Sequence, residues 1–223
     1  LLRYRFGFQG ADILTLTDGE ATRDRIVNAF IDHLIKQAQP DDLVVFHFSG
    51  YGAKAKLQQE AMNCLLPSNG SASGKWFTDS NLLLESTLAT LARSLPTNKV
   101  TFVLDTCYLG TGQVLQGNLR VRSINNSRTS PLSDNDLEFA QSIEERLQTP
   151  SSSLKNLIDQ SQNLPGIVIT ATGPQQIATE TDWGGFNAGV FTHTLTHSLW
   201  EAISASNIQI SLTRSAQTIE RLL

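Results

Sequence analysis

The chain has 223 residues, a length that suits one α/β domain with a sizeable core. Hydrophobic residues make up 40% and charged residues 17%, and a formal net charge of -4 gives no general attraction to nucleic acid or to anionic membranes. No apolar run approaches the roughly 18 residues of a membrane span. Because the two cysteines form neither a metal-ligand spacing nor a disulfide framework, we expect a cytoplasmic, reducing location and no cofactor.

In chain order, the first predicted element is a strand at residues 13–16, which ends in an Asp-Gly turn. Thr22 can cap the next helix, whose apolar positions recur every four residues. Residues 43–48 are apolar on both faces, which is typical of a buried parallel strand. They lead into a tight loop that holds Tyr51 between two glycines, and a longer polar loop follows.

Strands and helices continue to alternate further along the chain. We predict strands at residues 62–67, 99–107 and 166–173, and helices at residues 77–96, 190–203 and 211–223. Residues 111–135 are polar and rich in Ser and Asn, which predicts a flexible loop, and residues 136–163 are polar and partly helical. The alternation predicts a single domain over residues 1–223, an α/β fold with a mostly parallel sheet.

Two predicted strand ends carry side chains that suit catalysis. One is followed by Tyr51, and the other ends in Asp105-Thr106-Cys107, 56 residues after the tyrosine. Because functional residues gather at the carboxyl ends of parallel strands, neighbouring strands would place Tyr51 and Cys107 at one edge of the sheet.

These motifs resemble those of the caspase superfamily (peptidase family C14), in particular the p20-type domain of metacaspases and orthocaspases. Members carry a strand ending in S-G-H-G and, about 50 residues later, a strand ending in D-x-C. Here the first motif reads "SGYG" and the second "DTC", and a third match, "GPQQIATET", contains Glu180. The resemblance covers nearly the whole chain and implies a caspase-like α/β/α sandwich. It also implies that the family's first strand and helix would precede residue 1, so that the chain is N-terminally truncated.

The resemblance assigns roles to five positions. Cys107 takes the place of the nucleophile, and the N–H groups of Gly52 and Cys107 take the place of the oxyanion donors. Asp105 and Glu180 correspond to an acidic pocket for an Arg or Lys side chain, so that the expected partner is a peptide or protein substrate bearing such a residue. Tyr51 stands where the family has its catalytic histidine, and a phenol with a reference pKa of about 10 is a poor base at neutral pH. We therefore expect an impaired cysteine endopeptidase.

Two alternatives remain open at this stage. The first is a non-enzymatic pseudopeptidase that binds a basic peptide or a partner domain of a larger chain, and residue 51 favours it. The second is a flavodoxin-like ligand-binding domain, which would need a phosphate-binding first loop that the sequence lacks. Some metacaspases use calcium, but no spacing in this chain establishes a metal site.

Other residues of chemical interest are expected to be structural or accessory. We expect Cys64 and His47 to lie in the core, and His193 and His197 to pack rather than bind a metal. Active members of the family often cut themselves after a basic residue behind the cysteine. In this chain that region contains Arg120, Arg122 and Arg128.

Overall fold

The structure is a computed structural model that describes residues 1–70, 80–108, 119–123, 130–148, 164–173 and 176–201. The helices are α1 (Leu2–Arg5), α2 (Arg23–Ala29), α3 (Glu85–Arg93), α4 (Asp134–Arg146) and α5 (Val190–Glu201), and α2 runs on into a π-helical segment, Phe30–Ile35. The strands are β1 (Val44–Ser49), β2 (Tyr51–Leu57), β3 (Glu60–Leu66), β4 (Leu83–Leu84), β5 (Val100–Asp105), β6 (Arg120–Val121), β7 (Ser130–Pro131), β8 (Ile167–Thr170), β9 (Thr179–Asp182) and β10 (Asn187–Gly189).

A parallel sheet lies at the centre of the fold. Its strand order is β1-β5-β8, and both pairings are parallel, so that the predicted α/β sandwich with a parallel central sheet is confirmed. Alternate residues of β1 and β5 point to one face, where they join a core formed with α2, α3 and α4. Phe102 is fully buried there, and its ring lies 5.6 Å from that of Phe46.

A second sheet, in the order β4-β3-β2-β7, differs from the sequence prediction. The residues after Tyr51 were expected to form a polar loop, but they form strand β2, which pairs with β3 in an antiparallel hairpin. Ala53, Ala55 and Leu57 are buried while Lys54 and Lys56 between them are more exposed, so that the segment has one apolar face. The strand was not predicted because alanine and lysine have a low intrinsic preference for β-strands.

Other predicted elements also need correction. Residues 13–16 are not a strand but lie between two short 3₁₀ turns, since an apolar segment becomes a strand only where a neighbour pairs with its backbone. The predicted helix at 77–96 begins at Glu85, because Leu83 and Leu84 pair with β3 instead. Thr22 does cap α2, accepting a hydrogen bond from the Arg25 N–H at 3.4 Å.

The predicted polar loop at 111–135 lies partly outside the described residues. Within it, Arg120–Val121 forms β6, which pairs with β9 at one edge of a third, antiparallel sheet in the order β10-β9-β6. Arg122 is buried at 5% exposure, so the expectation of an exposed loop is wrong at this position. The predicted helix at 211–223 lies outside the described residues. Among those that are described, no helix is long and apolar enough to cross a membrane.

A buried ion pair joins α2 to α4. Arg23 Nη1 lies 2.6 Å from Asp136 Oδ1, and both side chains are almost completely buried. Asp136 also accepts hydrogen bonds from the Leu82 N–H at 3.0 Å, from Ser133 at 2.7 Å and from Ser80. Every lone-pair direction of this carboxylate is thus occupied, which is what a buried charge requires.

Candidate active site

The two strand ends singled out in the sequence lie side by side. β1 and β5 are parallel neighbours whose register pairs Ser49 with Asp105, and the Gly50 N–H donates to the Asp105 carbonyl at 3.1 Å. Since the carboxyl ends of parallel strands lie at one edge of the sheet, Tyr51 and Cys107 both follow strands that end at this edge. The expectation that the two motifs neighbour each other is confirmed.

Cys107 is the second residue of the loop after β5, and its side chain is fully buried. Its Sγ lies 3.8 Å from the carbonyl oxygen of Ala178, to which the thiol donates weakly. A backbone carbonyl neither removes the thiol proton nor stabilises a thiolate. The thiol proton is thus directed at a backbone carbonyl rather than at a base.

Tyr51 directs its hydroxyl to a carboxylate. The phenol donates to Glu180 Oε1 at 3.1 Å. Partial burial and the charge of Glu180 both raise the pKa of Tyr51 above its usual value. The hydroxyl therefore stays protonated at neutral pH and acts as a donor to Glu180 rather than as a base.

The two predicted oxyanion donors converge on one carbonyl group. The N–H groups of Gly52 and Cys107 donate to the carbonyl oxygen of Arg122 at 3.1 and 3.4 Å. Two backbone N–H groups aimed at one oxygen are the arrangement that stabilises negative charge on a carbonyl during acyl transfer. The geometry needed for that task is present, and a peptide group of the chain itself occupies it.

The side chain of Arg122 enters a pocket made by the two predicted acids. Its Nη1 lies 3.3 Å from Asp105 Oδ2, and its Nε lies 3.9 Å from Glu180 Oε2. The Arg122 N–H donates to the Ala178 carbonyl at 2.9 Å, which continues the antiparallel pairing of β6 with β9. Arg122 is thus held through its backbone N–H, its carbonyl and its guanidinium.

Thr192 fixes the buried acid of this pocket. Its N–H and its hydroxyl both donate to Asp105 Oδ2, at 2.9 and 2.6 Å, from the first turn of α5. His47 was expected in the core, but it is exposed, and its Nε2 lies 3.2 Å from the Thr192 hydroxyl. The correction follows from alternation along β1, which turns Phe46 and Phe48 to the core and His47 to the opposite face.

Sequence reasoning missed two contributors to the pocket. Arg122 was considered only as a basic residue in a flexible stretch, and Thr192 was not considered at all. The available signal for Thr192 was its place in the first turn of a predicted helix, where exposed N–H groups attract a carboxylate. Nothing in the local sequence pairs Arg122 with Asp105, because the contact joins residues from separate strands.

The remaining cysteine and histidines have structural surroundings. Cys64 is fully buried in the core beneath the β2–β3 hairpin, as predicted, and burial raises the pKa of its thiol. His193 stacks on Trp183 with ring centroids 3.8 Å apart, and His197 Nδ1 lies 3.7 Å from a Glu201 carboxylate oxygen. The stacking agrees with the prediction that His193 packs, whereas the side chain of His197 is 65% exposed, so the prediction that it packs is wrong.

Glycines at two positions let the backbone come close to the pocket. A Cβ on Gly52 would collide with the Cys107 carbonyl and lie 2.7 Å from the Thr106 hydroxyl. A Cβ on Gly189 would overlap Arg122 Nη1 and Asp105 Oδ2. Both positions have ordinary φ values, so the requirement for glycine is one of space rather than of backbone conformation.

Replacing Gly189 with alanine should expel the guanidinium of Arg122 from the pocket. Losing this charge-assisted contact should loosen the Arg122 segment over Cys107, and the thiol should react with iodoacetamide about tenfold faster or more. Peptide mapping by mass spectrometry would separate labelling of Cys107 from that of Cys64, which should stay unlabelled in the native protein.

Gly19→Ala is the matched control, because a Cβ at Gly19 meets nothing within 4 Å. Equal labelling rates at Cys107 in the Gly189→Ala variant and the wild type would show that the pocket does not depend on space at Gly189.

Comparison with known proteins agrees with this geometry. The family model of the caspase domain matches residues 1–221. The chain belongs to the caspase family. Among solved structures, the crystal structure of protein GSU0716 from Geobacter sulfurreducens is similar to this caspase domain, with a TM-score of 0.59 and 18% sequence identity over 90% of this chain and 71% of that one. At this identity the likeness concerns the fold alone.

Two metacaspases are similar to this caspase domain in sequence. Metacaspase-1 of Meyerozyma guilliermondii is 30% identical over 122 residues, which are 49% of this chain and 28% of the relative. Metacaspase-1 of Yarrowia lipolytica is 31% identical over 119 residues, which are 48% of this chain and 24% of the relative. The chain therefore spans about a quarter of the length of these curated relatives.

Proposed function

We propose that this caspase domain binds an extended peptide segment with an Arg or Lys side chain in the pocket of Asp105 and Glu180. Its cysteine endopeptidase activity, which would use Cys107, is severely impaired or absent. The observation that carries the proposal is the position of Arg122, whose guanidinium lies between the two acids while its carbonyl accepts from the Gly52 and Cys107 N–H groups.

The charge of the pocket supports a basic ligand. Two carboxylates face one guanidinium, and Asp105 is buried without exposure to solvent. A buried carboxylate is costly unless a cation or several donors compensate for it. A neutral or acidic side chain in place of Arg122 would leave Asp105 without its cationic partner.

The hydrogen bonds of Tyr51 and Cys107 support impaired catalysis. The phenol donates to Glu180, and the thiol donates to the Ala178 carbonyl, so that neither group activates the other. Loss of one member of a catalytic group typically leaves only roughly 10³- to 10⁴-fold acceleration over the uncatalysed reaction.

The hydroxyl of Tyr51 also favours a second candidate function, a non-enzymatic scaffold that holds a basic peptide or a partner domain without cutting it. In this reading the site is used for binding alone. The two functions share the pocket and differ in whether any turnover depends on Cys107.

Peptide binding tests the pocket directly. The full chain with Arg122→Ala, which empties the pocket, would be titrated with fluorescent nonapeptides based on residues 117–125, "GNLRVRSIN". The fourth residue would be glutamine in every peptide, so that only one register presents a basic side chain. Peptides with Arg or Lys at the sixth position should bind at least about tenfold more tightly than those with Gln or Asp.

Mass spectrometry of the same mixtures tests turnover. Little or no cleavage after the sixth residue is expected, and a Cys107→Ala chain sets the background. Equal affinity for the Arg and Gln peptides would contradict the basic pocket. Rapid cleavage that depends on Cys107 would contradict the impairment and leave the pocket standing.

A further inference from the structure

The two acids of the pocket are held in different ways. Asp105 is buried and is fixed by both donors of Thr192. Glu180 lies on β9 with a side chain 20% exposed, and its Oε1 receives the hydrogen bond of Tyr51 while its Oε2 faces Arg122. A glutamate side chain loses substantial rotamer freedom when it is held in one orientation, so a partly exposed glutamate needs a contact that selects one.

Tyr51 is well placed to make that selection. It opens β2 directly after Gly50, and the register of the hairpin pairs it with Leu66, so its backbone is anchored to β3. Its ring has two rotatable side-chain bonds, and the hydroxyl reaches Glu180 Oε1 at 3.1 Å. This rigid donor holds one oxygen of the carboxylate and leaves the other to face the basic side chain.

The chemistry of a phenol suits this task better than that of an imidazole. A tyrosine hydroxyl donates a proton without carrying a charge. A histidine at the same position would be partly cationic near neutral pH, and it would then repel a guanidinium and pair with Glu180 itself. A neutral donor orients the carboxylate and preserves its charge for the ligand.

We infer that Tyr51 is a positioning residue of the basic pocket, which orients Glu180 toward the Arg or Lys side chain of a bound segment. The inference rests on the proposed function, and it gives the residue in the histidine position a role in recognition. In this role Tyr51 acts through Glu180.

A double-mutant cycle tests the inference. In the full chain with Arg122→Ala, the dissociation constants of the Arg and Gln nonapeptides would be measured with and without Tyr51→Phe, which removes only the hydroxyl. The change should weaken binding of the Arg peptide about three- to tenfold, because a hydrogen bond to a charged group at a partly exposed site is lost. The Gln peptide should bind as before.

The same substitution in a Glu180→Ala background should have no further effect on the Arg peptide, since the group that it positions is gone. Tyr4→Phe serves as the control, because Tyr4 is 78% exposed. An equal loss for the Arg and Gln peptides, or a loss that persists without Glu180, would overturn the positioning role while the Arg preference itself stands. If the parent chain does not prefer Arg to Gln, the proposed function and this inference both fail.

Discussion

Replacing Tyr51 with histidine is expected to raise cleavage after basic residues by about 10²- to 10⁴-fold, the usual contribution of a general base. An imidazole with a reference pKa near 6.5 can take the thiol proton, whereas burial and Glu180 raise the pKa of Tyr51 further from neutrality. We expect the two N–H groups that face the Arg122 carbonyl to stabilise the oxyanion of such a reaction.

Intact mass and peptide kinetics measure this effect. The Tyr51→His chain should cut itself after Arg122, whose carbonyl lies at the two N–H groups, while the wild type stays whole. With Arg peptides, kcat should rise, and KM should rise as well because Glu180 loses its neutral donor. Adding Cys107→Ala should abolish both activities. Self-cleavage of the wild type that depends on Cys107 would show that Tyr51 does not abolish catalysis.

Removing the carboxylate of Asp136 should have the largest effect on stability. The Asp136→Ala change leaves Arg23 buried without its ionic partner and removes an acceptor from the Leu82 N–H and from two serine hydroxyls. Breaking one side of a buried pair typically costs about 3–5 kcal/mol of unfolding free energy. Burial already lowers the pKa of Arg23, which shows how unfavourable its charge is without compensation.

Urea unfolding followed by circular dichroism would measure this loss. Glu20→Ala is the control, because it removes an ion pair with Arg25 whose side chains are more than half exposed, and such pairs contribute about 1 kcal/mol or less. A loss below about 1 kcal/mol in Asp136→Ala would mean that water replaces the missing carboxylate.

The central strands could be predicted from sequence because short, continuous apolar runs are typical of strands in a central sheet. The apolar runs of β1 and β5 predict neighbouring strands, whose ends place Tyr51 near Cys107, although the structure buries β1 on one face only and exposes His47 on the other. The β2–β3 hairpin could not be recognised with the same ease, since its buried face contains alanines. The alternation of Ala and Lys at residues 53–56 has the period of a strand, but these two residue types are uncommon in strands.

The site was predictable to the extent that it follows strand ends. Gly52, Asp105 and Cys107 come directly from two such ends, and Glu180 from a third segment. The place of Arg122 depends on pairing between β6 and β9, which brings together residues that lie far apart in the chain. A local pattern of Ser and Asn around Arg122 predicts a loop, and only the acidic pocket explains why this arginine is buried.

Because Arg122 belongs to the same chain as the pocket that it fills, it competes with free peptides and lowers the affinity of the domain for them. Arg122 follows Cys107 by 15 residues, so its local concentration near the pocket is set by a short tether and is on the order of millimolar. A free peptide can bind only in the fraction of molecules in which this tethered arginine has left, and its apparent dissociation constant rises by the inverse of that fraction. At micromolar concentrations, basic peptides that bind the Arg122→Ala chain should therefore show no binding to the unaltered chain.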